Sequence, residues 1–124
     1  MTDPERAREG MSVRRAVLGD DHVDRAVAGT TPFQDLITRY AWARSGPVPG
    51  LSPAERSMIT LTALAVLRQE QELAMHVRAA VRNGLSPEQI QEVLLQVAVY
   101  AGVPAANRAF AVAQSVLAAE GPDE

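Results

Sequence analysis

The chain has 124 residues, 47% of them hydrophobic and 22% charged, a globular balance long enough to bury one core without disulfide or metal staples. Twelve basic residues against fifteen acidic ones leave a formal charge of -3, which speaks against a duplex nucleic-acid binder, and two Phe, two Tyr and one Trp are too few for a single-strand stacking platform. The absence of cysteine excludes disulfides, thiolate metal sites and thiol redox chemistry.

The punctuation predicts helices throughout. Asp3-Pro4 reads as an N-cap followed by proline, opening a helix that ends near Gly19. A short second helix is expected over His22–Gly29, and Thr31-Pro32 opens a third with Phe33, Leu36, Ile37, Tyr40 and Ala41 at helical spacing. Gly46-Pro47-Val48-Pro49-Gly50 cannot continue a helix, because two prolines and two glycines fall within five residues. Ser52-Pro53-Ala54-Glu55 restarts one as a capping box, and the apolar run Met58–Leu67 predicts burial on most sides.

The next helix runs from about Gln69 to Asn83 and stops at Gly84, a position suited to left-handed backbone. Ser86-Pro87-Glu88-Gln89 repeats the capping pattern, and Ile90, Val93, Leu94, Val97 and Ala101 mark a buried stripe. Gly102 ends that helix, and Pro104 opens a last one, alanine-rich from Ala105 to Ala119 and closed by Gly121-Pro122. The pattern predicts an all-α, single-domain helical bundle over residues 1–124, with a short acidic tail at 121–124. Apolar residues on more than one helix face also predict a homo-oligomer. Met1 to Arg6 is charged and no apolar run reaches the length of a membrane span, so a cytoplasmic location is expected, without membrane partners.

Phosphate loops, metal-ligand clusters and nucleophile elbows are missing, so no metal site is expected. The informative spot is Glu72-Leu-Ala-Met-His76, where a carboxylate and an imidazole four apart share one helix face. A carboxylate favours the protonated ring and orients it, and such a pair exchanges a proton near neutral pH. A surface ion pair or a structural histidine has the same spacing, but Leu73, Met75, Val77, Ala79 and Ala80 make this helix largely buried, so the polar pair needs a reason. His22 reads first as a capping or loop residue. Arg14, Arg15, Arg25, Arg39 and Arg56 have the fork geometry that clamps carboxylates, though each alone is more often ion-paired at the surface. Tyr40 and Trp42 flank Arg39 closely enough to line a pocket or anchor a core, and Gln96 and Tyr100 share a face.

Several stretches together carry a resemblance: Arg14–Arg25 with Gly19-Asp20-Asp21-His22-Val23-Asp24, Phe33–Trp42, Arg56–Leu61, Glu72–Ala80 with Asn83-Gly84, and Tyr100–Asn107. The chain resembles the carboxymuconolactone decarboxylase family from about Glu5 to Glu120. Glu72, His76 and Gly84 alone fit the wider superfamily, of alkylhydroperoxidase-like fold. The segment around His22 narrows the match to the decarboxylases, and the missing Cys-x-x-Cys excludes the thiol peroxidases. One departure is the stretch Ala43–Leu51, shorter than usual and lacking a second tryptophan.

The resemblance implies a helical homo-oligomer, trimer or hexamer, acting in the protocatechuate branch of the β-ketoadipate pathway. The implied reaction is cofactor-independent decarboxylation of 4-carboxymuconolactone, a small dianion, to β-ketoadipate enol-lactone. On that reading His76, oriented by Glu72, delivers the proton, and Arg39 and Arg56 hold carboxylates. His22, Tyr40, Trp42 and Tyr100 complete the expected binding residues. Two alternatives stand beside it: a same-fold enzyme acting on another lactone or carbonyl acid, and a non-catalytic helical oligomer. Asn83-Gly-Leu-Ser-Pro-Glu88 would pass for the turn of a DNA-binding helix pair, but the acidic balance and the apolar character of the next helix oppose this.

Overall fold

The computed structural model describes residues 2–44 and 50–120. It has helices α1 (Asp3–Leu18), α2 (Asp20–Val27), α3 (Pro32–Ile37), a π-helical turn (Thr38–Trp42), α4 (Pro53–Val66), α5 (Glu70–Arg82), α6 (Pro87–Ala101) and α7 (Val103–Glu120). No strand occurs among the described residues. Most of the predicted Gly46–Gly50 loop, the closing Gly121-Pro122 and the acidic tail lie outside them. The chain forms two compact units, Met1–Pro53 and Ala54–Glu124.

In the amino-terminal unit α1 packs on the π turn and on α2. The cap of α1 is Thr2 rather than Asp3: its hydroxyl accepts from the Glu5 N–H while the Glu5 carboxylate accepts from the Thr2 N–H at 2.7 Å. A threonine with glutamate three residues on is a full capping box, which Asp3 cannot make. The second helix starts two residues earlier than predicted, directly after Gly19, whose φ of 89° lets α1 turn into α2. Thr31 caps α3 through the Gln34 N–H, and Pro32 opens it.

The expected apolar face of α3 is not the buried one. Phe33, Leu36 and Tyr40 are exposed, and Thr38 is buried instead. A π turn follows, where the Ala43 N–H reaches back five residues to the Thr38 carbonyl. One extra residue in the turn rotates the downstream side chains and spoils the 3.6 spacing. Gly10 lets α1 approach this closely: a Cβ there would stand 1.9 Å from the Thr38 carbonyl oxygen.

In the carboxy-terminal unit Leu61 and Ala65 of α4, Leu73, Val77 and Ala80 of α5, Ile90, Leu94 and Val97 of α6, and Ala109, Ala113 and Val116 of α7 form one core. Leu85 from the α5–α6 turn joins it. Alanines at 105, 106, 109 and 113 keep α7 close to its neighbours. The predicted stripe of α6 holds at Ile90, Leu94 and Val97, while Ala101 is exposed at the helix end. The expectation that α4 is buried on most sides is corrected. Ile59, Val66 and Leu67 are exposed, and only Ser57, Leu61 and Ala65 are buried, because the unit covers a single face of that helix.

Two turns set α5 in place. At its end Gly84 (φ 103°) donates to the Val81 carbonyl and Leu85 to the Ala80 carbonyl, a Schellman closure as predicted for that glycine. At its start the same closure is built on Arg68, a non-glycine at φ 58°, with Arg68 donating to the Ala65 carbonyl and Gln69 to that of Leu64. Ser86 and Gln89 make the predicted capping box of α6.

Candidate functional site

The candidate residues divide between the units. His22, Arg39, Tyr40 and Trp42 belong to the first, and Arg56, Glu72, His76 and Tyr100 to the second.

Within the amino-terminal unit, Arg39 is bound by two carboxylates of its own chain. It pairs with Asp3 at the start of α1 and, at 2.9 Å, with Asp35 one turn back. The pairing ties α3 and the π turn to α1. Arg15 is similarly engaged, at 3.1 Å from Asp20 and 2.9 Å from Asp24. Side-chain hydrogen bonds to Asp24, then Asp20, hold its guanidinium above the ordinary range. Tyr40 is 74% exposed, and Trp42 is half-buried with an interaction partner. His22 is half-buried in the first turn of α2, so it is a helical residue rather than a loop one.

In the carboxy-terminal unit α5 buries Leu73, Val77, Ala79 and Ala80, and this fixes the direction of its polar stripe. Glu72 is exposed and His76 is half-buried one turn later, as their spacing requires. His76 has an interaction partner in the chain. The same stripe continues to Asn83, whose side-chain amide donates to the buried Ser57 hydroxyl on α4 at 2.9 Å. This link braces the end of α5 beside Arg56, a half-buried residue with a partner of its own. Sequence reasoning missed it, and only the Asn83-Gly84 pair hinted at it.

Two grooves are open among the described residues of this unit. One, of about 450 Å³, lies between α4 and α6 and is lined by Met58, Ile59, Thr62, Ala63, Val93 and Gln96. The other, of about 610 Å³, lies between α5 and α7, where the Arg108–Glu70 ion pair at 2.6 Å borders apolar Ala74, Ala111 and Val112. His76 lines neither, and Tyr100, 85% exposed near the end of α6, is also outside both. No group of three or more His, Asp or Glu suited to a metal ion occurs among the described residues, and no described helix is long and apolar enough to cross a membrane.

Comparison with known proteins bears directly on this arrangement. Residues 31–115, from the cap of α3 to late α7, match the model of the carboxymuconolactone decarboxylase family. The chain belongs to that family. Over 120 residues it is 38% identical to the 4-carboxymuconolactone decarboxylase of Acinetobacter baylyi, covering 94% of this chain and 90% of that protein. It is also 38% identical over 113 residues to a nitrosuccinic acid decarboxylase of Metarhizium robertsii, covering 88% of this chain and 79% of the relative. A 45-residue stretch is 49% identical to the 4-carboxymuconolactone decarboxylase of Pseudomonas putida, 33% of this chain against 94% of that sequence. As a family member the chain is a decarboxylase, and its α1 and α2, outside the family model, fall within the long likeness to the Acinetobacter enzyme.

Proposed function

We propose that this protein decarboxylates 4-carboxymuconolactone to β-ketoadipate enol-lactone. The observation that carries the reading is the near-full-length likeness to an enzyme of that name, and the half-buried His76 on the braced helix α5 supports it.

The chemistry suits a protein of these residues. The substrate carries its departing carboxylate on the ring carbon next to the ring oxygen, conjugated through a double bond to the lactone carbonyl. When the bond to carbon dioxide breaks, its electron pair moves through the ring and becomes a dienolate oxygen on that carbonyl. A proton added to the carbon next to the carbonyl then restores the lactone and leaves the enol-lactone. The ring is its own electron sink, so the protein has to bind a dianion, stabilise the growing oxyanion and supply one proton.

His76 is the proton donor, with the Glu72 carboxylate one turn away on the same helix face. Arg56 holds a substrate carboxylate, whereas Arg39, with Asp3 and Asp35 already on it, is a weaker candidate. On this reading His22, Tyr40, Trp42 and Tyr100 are further substrate-contact residues. The exposed apolar residues Ile59, Val66, Leu67, Leu95 and Val99 support a homo-oligomer, which light scattering on the purified protein tests. A location in the cytoplasm, in protocatechuate degradation, follows from the same reading.

The nitrosuccinic acid decarboxylase, at the same 38% identity over a shorter span, favours a second reading, in which the substrate is another dicarboxylate whose carbanion drains into a neighbouring oxygen acceptor. Parallel assays with freshly made 4-carboxymuconolactone and nitrosuccinate, following released carbon dioxide, separate the two. Replacing His76 by Gln lowers kcat about 10²–10⁴-fold with the fold intact, and near-wild-type turnover refutes the proton-donor role.

A further inference from the structure

We propose that Arg14 is a carboxylate-binding residue, the core of an oxyanion site built by α1 and the π turn. The proposal deepens the decarboxylase reading above and rests on it for the identity of the dianion.

Arg14 is only 6% exposed, and it sits at the contact of α1 with the π turn that Gly10 makes possible. A guanidinium has five N–H donors and a permanent charge. The hydrogen bond Arg14 forms among the described residues is from Nη1 to the Thr38 Oγ1, at 3.3 Å. That hydroxyl spends its own proton on the Gln34 carbonyl at 3.1 Å, so its lone pairs are turned to the arginine. It supplies no counter-charge.

The nearby acids are committed elsewhere. Asp3 and Asp35 bind Arg39, Asp20 and Asp24 bind Arg15, and Glu5 accepts from the Thr2 N–H. The remaining acids of α1 and α2, Glu9 and Asp21, form no ion pair with Arg14 among the described residues. A largely buried cation with one neutral acceptor is a costly arrangement unless an anion completes it. Nε and Nη2 make no hydrogen bond among the described residues. The two nitrogens present the parallel donors that a carboxylate takes bidentately. Arg39 and Arg15, the other well-placed arginines of this unit, already have carboxylates, whereas Arg14 lacks one among the described residues.

The test uses Arg14→Met, Arg14→Lys and, as a control on the same helix, the exposed Arg8→Met. Three compounds are compared: 4-carboxymuconolactone as substrate, its saturated analogue as a non-reacting dicarboxylate, and muconolactone as the matching monocarboxylate. With Arg14→Met, KM and the calorimetric Kd of the saturated analogue rise about 10–100-fold. The Kd of muconolactone moves less than about three-fold, kcat falls less than KM rises, and Arg14→Lys lies between wild type and Met. Without ligand, Arg14→Met melts at or above the wild-type temperature, because an apolar side chain removes the unpaired buried charge.

Wild-type KM and Kd in Arg14→Met overturn the proposal. So does a loss of oligomer in gel filtration at unchanged KM, which would assign the missing carboxylate to a second copy of the chain. If Arg14→Met does not fold, Arg14→Lys decides alone, by raising or not raising the dicarboxylate Kd relative to muconolactone. If wild type neither binds nor turns over these lactones but binds succinate in an Arg14-dependent way, the oxyanion site stands and the reaction assignment falls.

Discussion

Gly10→Ala tests the contact on which the amino-terminal unit is built. The added carbon would stand 1.9 Å from the Thr38 carbonyl oxygen and 2.8 Å from its carbon, where ordinary contact begins at 3.4 Å. Both atoms are backbone, so relief requires α1 to retreat from the π turn by about 1.5 Å. Overpacking of this kind costs roughly 1–3 kcal/mol. The same retreat pulls Arg14 out of reach of Thr38, a bond already 3.3 Å long, and losing a hydrogen bond to a charged group costs about 1.5–3 kcal/mol. Alanine's better helix propensity returns ~1 kcal/mol. The net expectation is destabilisation by roughly 1.5–5 kcal/mol in urea unfolding at fixed protein concentration. A variant as stable as wild type would show that α1 and the π turn do not approach as described, and the case for Arg14 would lose its geometry.

Other substitutions probe the turns that hold α5 and α6. Arg68→Gly is expected to raise stability by roughly 0.5–1 kcal/mol, since φ 58° is strained for an L side chain and free for glycine; a loss of stability would contradict the Schellman closure at that residue. Ser86→Ala removes the oxygen that caps the Gln89 N–H at 3.1 Å and should cost about 0.5–2 kcal/mol in thermal or urea melts, with no change in KM. An equal loss from Gln89→Ala would show that both halves of the box contribute equally.

The fold class, the order of the helices and most of their ends are set by local chemistry, and the sequence shows them openly. Proline after threonine or serine, a carboxylate or amide three residues on, and glycine past the last turn each act within a few residues, so Thr31-Pro32, Ser86 to Gln89 and Gly84 read correctly before any packing is known. Glu72 and His76 share a face for the same reason, since helical spacing alone aligns them. Their surroundings are a different matter. That Asn83 reaches Ser57 across 26 positions, that Arg39 is taken up by Asp3, and that Thr38 rather than Phe33 or Leu36 turns inward depend on contacts between helices and on a π turn. No short window encodes these, because a charged or apolar side chain has no partner until the chain folds back on itself. Arg14 shows the division most clearly. Its charge is plain in the sequence, while its burial beside a neutral hydroxyl exists only in the tertiary structure.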